Sequence, residues 1–227
     1  MKTFHYIFDG YKLDNRYMRE VESFTSFMNS IKNAYCPQGT MKIIPYFNGI
    51  HKEDGGLTGI ILADDFHFTC HTFCFKNIVF IDCYSLHDNI NSIPDDIKRT
   101  YDTPYYNDEF IDINHKECDD DNKWGKHCIA KVDGMIPIQD AKKLVADLLV
   151  GINMHPISEL ITYEKENSYA LLQVLAESHI SMHTDGLETY IDIFSCNNFD
   201  SNIVDDILSN NRSDIKTTEI IRKKQLV

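Results

Sequence analysis

The sequence predicts an α+β fold built from two fused copies of one module. Antiparallel sheets would stack face to face, with helices outside, as an αββα sandwich. Three observations predict it. A short string recurs: Asp65-Phe66-His67-Phe68-Thr69-Cys70-His71-Thr72 is matched by Glu177-Ser178-His179-Ile180-Ser181-Met182-His183-Thr184. Its surroundings recur in the same order, which short chance matches do not do. Strand-like runs with one buried face alternate with helical stretches in both halves.

Each copy reads strand, helix, then three or four strands. Phe8-Asp9-Gly10 and Val132-Asp133-Gly134 each end a strand and lead into a helical stretch. Tyr17, Val21, Phe24, Phe27, Met28 and Ile31 recur at helical spacing, which predicts a helix over roughly 14–34. The second copy's helix covers roughly 138–151, opened by the Pro137 region and ended near Gly151. A further helix is expected over about 200–210, capped by Asp200 or Ser201. Apolar runs at 57–63 and 169–176 precede the repeated strings, and β-rich runs at 78–83 and 189–194 follow them.

The expected domains are a first module at 1–86, an acidic linker at 87–126 and a second module at 127–227. The linker is rich in Asp, Asn, Tyr and Pro and includes Asp119-Asp120-Asp121. A charge run of this kind reads as solvated chain.

The formal net charge of -13 repels phosphate backbones, so nucleic acid is not an expected partner. No apolar run approaches the roughly 18 residues of a membrane span, and the N-terminal stretch does not read as a signal peptide. Seven cysteines form no disulfide-like pattern, which places the chain in a reducing cytoplasm. His115, Cys118, His127 and Cys128 offer zinc-ligand types, but without a paired Cys-x-x-Cys spacing, and no metal is expected. In Cys70-His71-Thr72-Phe73-Cys74 a strand sends neighbouring ligands to opposite faces. No glycine-rich phosphate loop is present.

The string Glu177-Ser178-His179-Ile180-Ser181-Met182-His183-Thr184, with Asp192-Ile193-Phe194-Ser195-Cys196 downstream, resembles the processing segment of the S-adenosylmethionine decarboxylases. The resemblance implies cleavage between Glu177 and Ser178. The serine attacks the preceding carbonyl, the peptide becomes an ester, and β-elimination leaves a pyruvoyl group. That group would be the covalent cofactor, forming a Schiff base with a small amino-acid substrate and accepting electrons as carbon dioxide leaves.

In the family, a site takes its serine and cysteine from one copy and a second hydroxyl and a histidine from the other. This implies Ser178 as pyruvoyl precursor, Cys196 as proton donor in turnover, and Thr58 and His71 as processing groups. The first copy has Phe66 where Ser178 stands and Leu86 near the place of Cys196, so it reads as degenerate. His183 reads as structural. The family sandwiches the substrate's adenine between two rings, and the matching places here are Val132 and Phe47. The family's Trp-Pro-Glu string is replaced by Phe73-Cys74-Phe75 and Asp185-Gly186-Leu187.

S-adenosylmethionine is the expected substrate and polyamine synthesis the expected pathway. Arginine or ornithine is the alternative substrate, and an unprocessed, non-catalytic regulatory homologue the alternative role. Fusion of two modules makes a monomer sufficient, with a higher homo-oligomer also compatible.

Overall fold

A computed structural model describes residues 3–46, 55–111, 123–176, 178–196, 199–211 and 215–223. The chain divides into two compact units, residues 1–112 and 113–224.

The first unit runs β1 (Phe4–Gly10), α1 (Val21–Tyr35), β2 (Thr40–Tyr46), β3 (Gly56–Ala63), β4 (Phe66–Phe73), β5 (Ile78–Ser85), α2 (Ile93–Tyr101) and β6 (Tyr106–Ile111). Its antiparallel sheet has the order β2-β3-β4-β5-β1-β6. The second unit runs β7 (Lys123–Asp133), α3 (Ile138–Gly151), β8 (Ile161–Glu164), β9 (Tyr169–Leu175), β10 (Ser178–Thr184), β11 (Glu188–Ser195), α4 (Ser201–Asn211) and β12 (Ile215–Lys223). Its sheet has the order β8-β9-β10-β11-β7-β12 when read in the matching direction. Strand for strand and helix for helix, the two topologies are the same. The α+β class with antiparallel sheets is as expected.

Local sequence explains the elements. In α1, Phe24, Phe27, Met28 and Ile31 are buried at the spacing of one helix face. That face lies on β3 and β4. A Cβ at Gly59 would stand 2.7 Å from the Met28 sulfur, and the Phe27 and Phe68 rings meet edge-on with centroids 6.1 Å apart. In α3, Ala141, Leu144, Val145 and Leu148 form the same stripe. They pack with Val204 and Leu208 of α4 and with Ala130, Ile180, Met182, Ile191 and Ile193 of the sheet. The Asp200 carboxylate accepts the Asn202 amide hydrogen at 2.9 Å, so Asp200 caps α4 as expected. The strands β3, β4, β5, β9 and β10 are buried along their whole length, which accounts for their near-continuous apolar runs.

The structure corrects the expected helix start at 14. Residues Arg16–Met18 form a separate 3-10 turn, and α1 begins at Val21. It also corrects the linker. Residues 87–111 are part of the first unit. The Pro at the first turn of α2, Asp95 and Asp96 beside it, and Lys98 and Arg99 in the last turn follow the charge preference of a helix. Ile93, Ile97 and Tyr101 are its buried stripe. Strand β6 pairs along β1 from Tyr106 to Ile111. Its Asp108 accepts from Tyr6 at 3.0 Å and pairs with Lys98 at 2.9 Å. The acidic and aromatic residues that suggested solvated chain are thus an edge strand and its contacts. Asp119-Asp120-Asp121 lies outside the described residues. Among the described residues, no helix is long and apolar enough to cross a membrane.

Candidate functional site

In the second unit, Ser178 opens β10 and pairs in register with Ser195 of β11. This places Cys196 at the strand end beside it. The Cys196 amide hydrogen is donated to the Ser178 Oγ at 3.3 Å. Ser178 is buried, whereas Cys196 is partly exposed. Gly125 of β7 closes the other side. A Cβ there would stand 2.6 Å from the Ser195 carbonyl oxygen and 3.2 Å from the Cys196 Cα. The close approach of β7 to this turn therefore needs a residue without a side chain. Two residues 18 positions apart are brought within reach of one another. Glu177 lies outside the described residues.

In the first unit, Thr58 of β3 and His71 of β4 are cross-strand partners. The Thr58 Oγ1 and the His71 Nδ1 share a hydrogen bond of 3.0 Å, and both residues are buried. The two processing groups assigned to this unit therefore form one hydroxyl–imidazole pair. Phe66 is buried opposite Ser85, the position that Ser178 holds opposite Ser195. The counterpart of Thr58 in the second unit is Ala170, which faces His183 across β9 and β10. His183 thus has no hydroxyl opposite it on that strand.

The remaining assignments fare differently. Phe47 lies outside the described residues. Val132 is 1% exposed and sits in the apolar core against α3 and α4. Its place in the structure is that of a core side chain. His115 and Cys118 lie outside the described residues. His127 and Cys128 are adjacent on β7, with Cys128 in the apolar core and His127 turned to Asp192. The two side chains leave opposite faces of the strand, as alternation requires. The Asp185-Gly186-Leu187 string is the β10–β11 hairpin turn. Asp185 Oδ1 accepts the amide hydrogens of Leu187 and Glu188, both at 2.9 Å, and Gly186 has φ +87°.

Three other cysteines, Cys36, Cys70 and Cys83, are poor proton donors at neutral pH. Burial pushes the Cys70 thiol up to about 12, and burial followed by the nearby Asp65 charge pushes Cys36 up to about 11. Burial followed by Asp82 raises Cys83 well above the usual thiol range.

A further set of residues was not singled out from the sequence. His5 of β1, His67 of β4 and Asp82 of β5 converge in the first unit. His127 of β7, His179 of β10 and Asp192 of β11 converge in the second. Sheet register shows the equivalence: His5 and His67 both face Tyr84, while His127 and His179 both face Phe194. The signal was present in the two β-rich runs, each of which carries one aspartate. The first-strand histidines were hidden because aligning Asp9-Gly10 with Asp133-Gly134 puts His5 opposite Ile129. The register instead pairs Asp9 with Phe80 and Lys131 with Tyr190, so β7 runs two residues beyond its counterpart.

Residues 4–98 match the sequence family described as S-adenosylmethionine decarboxylase. The fold and the repeated β-α-β architecture had defined a class of two-layer α+β module. That stretch lies within the first unit, which is similar to the S-adenosylmethionine decarboxylase family. The match falls on the unit that carries Phe66, and it bears out the resemblance read from the sequence.

Among solved structures, the chain is similar to the adenosylmethionine decarboxylase from Aquifex aeolicus VF5. Identity is 21% and the TM-score 0.39, over 46% of this chain and 94% of that one. It is similar to a putative glycine cleavage system transcriptional repressor at 10% identity and a TM-score of 0.28, over 99% of this chain and 100% of that one. A protein from Galdieria sulphuraria is similar at 10% identity and a TM-score of 0.21, over 96% and 98%. Likeness at these levels carries no functional weight. No curated protein sequence matches the chain.

Proposed function

We propose that this chain is a self-processing, pyruvoyl-dependent decarboxylase acting on S-adenosylmethionine. The observation that carries the reading is the buried Ser178 hydroxyl beside Cys196 at the end of two paired strands. The family match over residues 4–98 supports the reaction class.

In this reading Ser178 Oγ attacks the Glu177 carbonyl carbon. The acyl group passes from nitrogen to oxygen, elimination frees the Glu177 carboxylate and leaves a dehydroalanine at 178, and water hydrolyses its imine tautomer to the pyruvoyl group with release of ammonia. The residues present fit such a group: the serine is at a strand start, shielded from water, with a partly exposed thiol adjacent. The pyruvoyl group supplies an electron sink for loss of carbon dioxide. The chain's own residues shield the reacting centre and move protons. Cys196 would return a proton to the substrate carbon. The Thr58–His71 pair would serve processing, with the imidazole as the base near neutral pH.

The test is the intact mass of freshly purified protein under denaturing conditions. Cleavage gives chains of about 20 and about 6 kDa, the smaller blocked by the pyruvoyl group. Release of labelled carbon dioxide is then compared for carboxyl-labelled S-adenosylmethionine, arginine and ornithine. Two chains with release from S-adenosylmethionine are expected. A single uncut chain would overturn the reading and leave a non-catalytic regulatory protein in its place.

A further inference from the structure

The row of residues through Ser178 differs between the two units at both of its flanks. In the second unit, Ser178 of β10 pairs with Ser195 of β11, and Ser195 pairs on its other side with Lys126 of β7. In the first unit, the same row reads Phe66 of β4, Ser85 of β5 and Phe4 of β1. Directly paired residues of adjacent strands point to one face of a sheet. Ser178, Ser195 and Lys126 therefore share a face, the one that carries Cys128, Ile180 and Ile193 into the core with α3 and α4.

We propose that Lys126 receives the α-carboxylate of the substrate, and so sets the site's preference for an amino acid over its decarboxylated product. The proposal rests on the decarboxylase reading and adds a residue that the sequence motifs did not single out. The first support is place. Neighbouring strands lie about 4.8 Å apart, so Lys126 stands roughly 10 Å from Ser178 across one intervening serine. Gly125 lets β7 approach the Ser195–Cys196 turn, which brings Lys126 up to the site. An amino-acid substrate at the serine is within reach of the ammonium on the same face.

The second support is the environment. Lys126 is 8% exposed, although lysine is a residue normally left in water. Its Nζ stands 5.6 Å from the centre of the Phe199 ring, just ahead of α4. That contact holds the long side chain in place, so less entropy is lost when an anion docks. Away from bulk water, an ion pair with a carboxylate is stronger than at the surface.

The third support is the contrast of the rows. Phe4 stands in the place of Lys126 in the first unit, so the module accepts an apolar side chain there. The cation is found in the row that has the serine nucleophile, and a second ring in the row that has Phe66. The chain as a whole carries a formal charge of -13 and repels carboxylates at long range. A cation beside the serine offsets that repulsion where the carboxylate of the substrate must sit.

The test uses processed full-length protein, reduced with borohydride so that it binds without turning over. Its affinities for S-adenosylmethionine and for decarboxylated S-adenosylmethionine are measured by isothermal titration calorimetry. Lys126→Met should weaken binding of the acid about tenfold or more, the scale of a charge-assisted hydrogen bond, and that of the decarboxylated compound less than about twofold. Lys126→Arg should restore most of the affinity for the acid. Lys126→Gln replaces the methionine variant if that one does not fold. If arginine or ornithine is the substrate, agmatine or putrescine takes the place of the decarboxylated compound, and the same difference is expected. Equal losses for both members of a pair, or none, would overturn the proposal and leave Lys126 a structural partner of Phe199. A wild-type chain that is never cut would overturn the decarboxylase reading itself, and the proposal with it, before any variant is made.

Discussion

The two units share a topology but carry complementary chemistry. The first has the hydroxyl–imidazole pair, Thr58 with His71, and lacks a serine where Phe66 stands. The second has Ser178 beside Cys196, while Ala170 stands where a hydroxyl would face His183. Both have kept the His–Asp–His set. Where the units differ, each has what the other lacks. Where they agree, a buried charge is involved. A nucleophile can be dropped from one unit at little cost to folding, because an apolar side chain fills its place. A buried carboxylate partnered by two imidazoles is harder to lose piecemeal, because removing one partner strands the rest.

The comparison can be broken most sharply at the serine. Ser178→Ala should abolish chain cleavage and all decarboxylation while leaving the fold intact, read by intact mass and by carbon dioxide release. Cleavage that persists in this variant would remove the distinction between the units.

Next in size is the hydroxyl–imidazole pair. His71→Ala should slow processing about a hundredfold or more, the usual scale for loss of a general acid or base. Thr58→Ser should process normally and Thr58→Val should not, followed as the time course of cleavage after synthesis. Equal rates in all three would make the pair structural.

Phe66→Ser probes the opposite replacement. It should create no second cleavage site. It should also destabilise the chain by about 3–5 kcal/mol, as loss of a buried phenylalanine does, measured by urea denaturation. A second cut near residue 66 would show the first unit to be chemically competent.

Smallest is the partly exposed pair on the second sheet. Lys131 Nζ lies 2.5 Å from Glu188 Oε1, and Tyr190 also donates to Glu188. Burial acts to raise the Glu188 carboxyl, but the hydrogen bonds from Lys131 and Tyr190 and the lysine charge outweigh it and hold it below the usual range. The folded form therefore favours the carboxylate. Its contribution is present above the ordinary carboxylate range and is lost as pH falls through the folded value. Glu188→Gln should cost less than about 1 kcal/mol at neutral pH, as for other partly exposed pairs. The difference from wild type should vanish in acid, read as melting temperature against pH.

Much of this molecule was legible in its sequence. The repeated string and its apolar flanks placed β3, β4, β9 and β10. The 3.6-residue stripe placed α3 from Ile138 to Gly151, and Asp200 marked the start of α4. Ser178, Cys196, Thr58 and His71 were named from the family resemblance, and the structure brings Ser178 beside Cys196 and Thr58 beside His71. Composition misled where acidic and aromatic residues served an edge strand: 87–111 read as linker because β6 makes its contacts with β1, far away in sequence.

Sequence by itself determined the two-module plan and the residues of the local motifs, because helix and strand periodicity and hairpin pairing act over short stretches of chain. Tertiary structure alone decided that β1 lies between β5 and β6, and β7 between β11 and β12. That order gathers His5 with Asp82 and His127 with Asp192. Burial then makes the charge of each cluster matter, because only a site withdrawn from water must find its counter-charge within the protein.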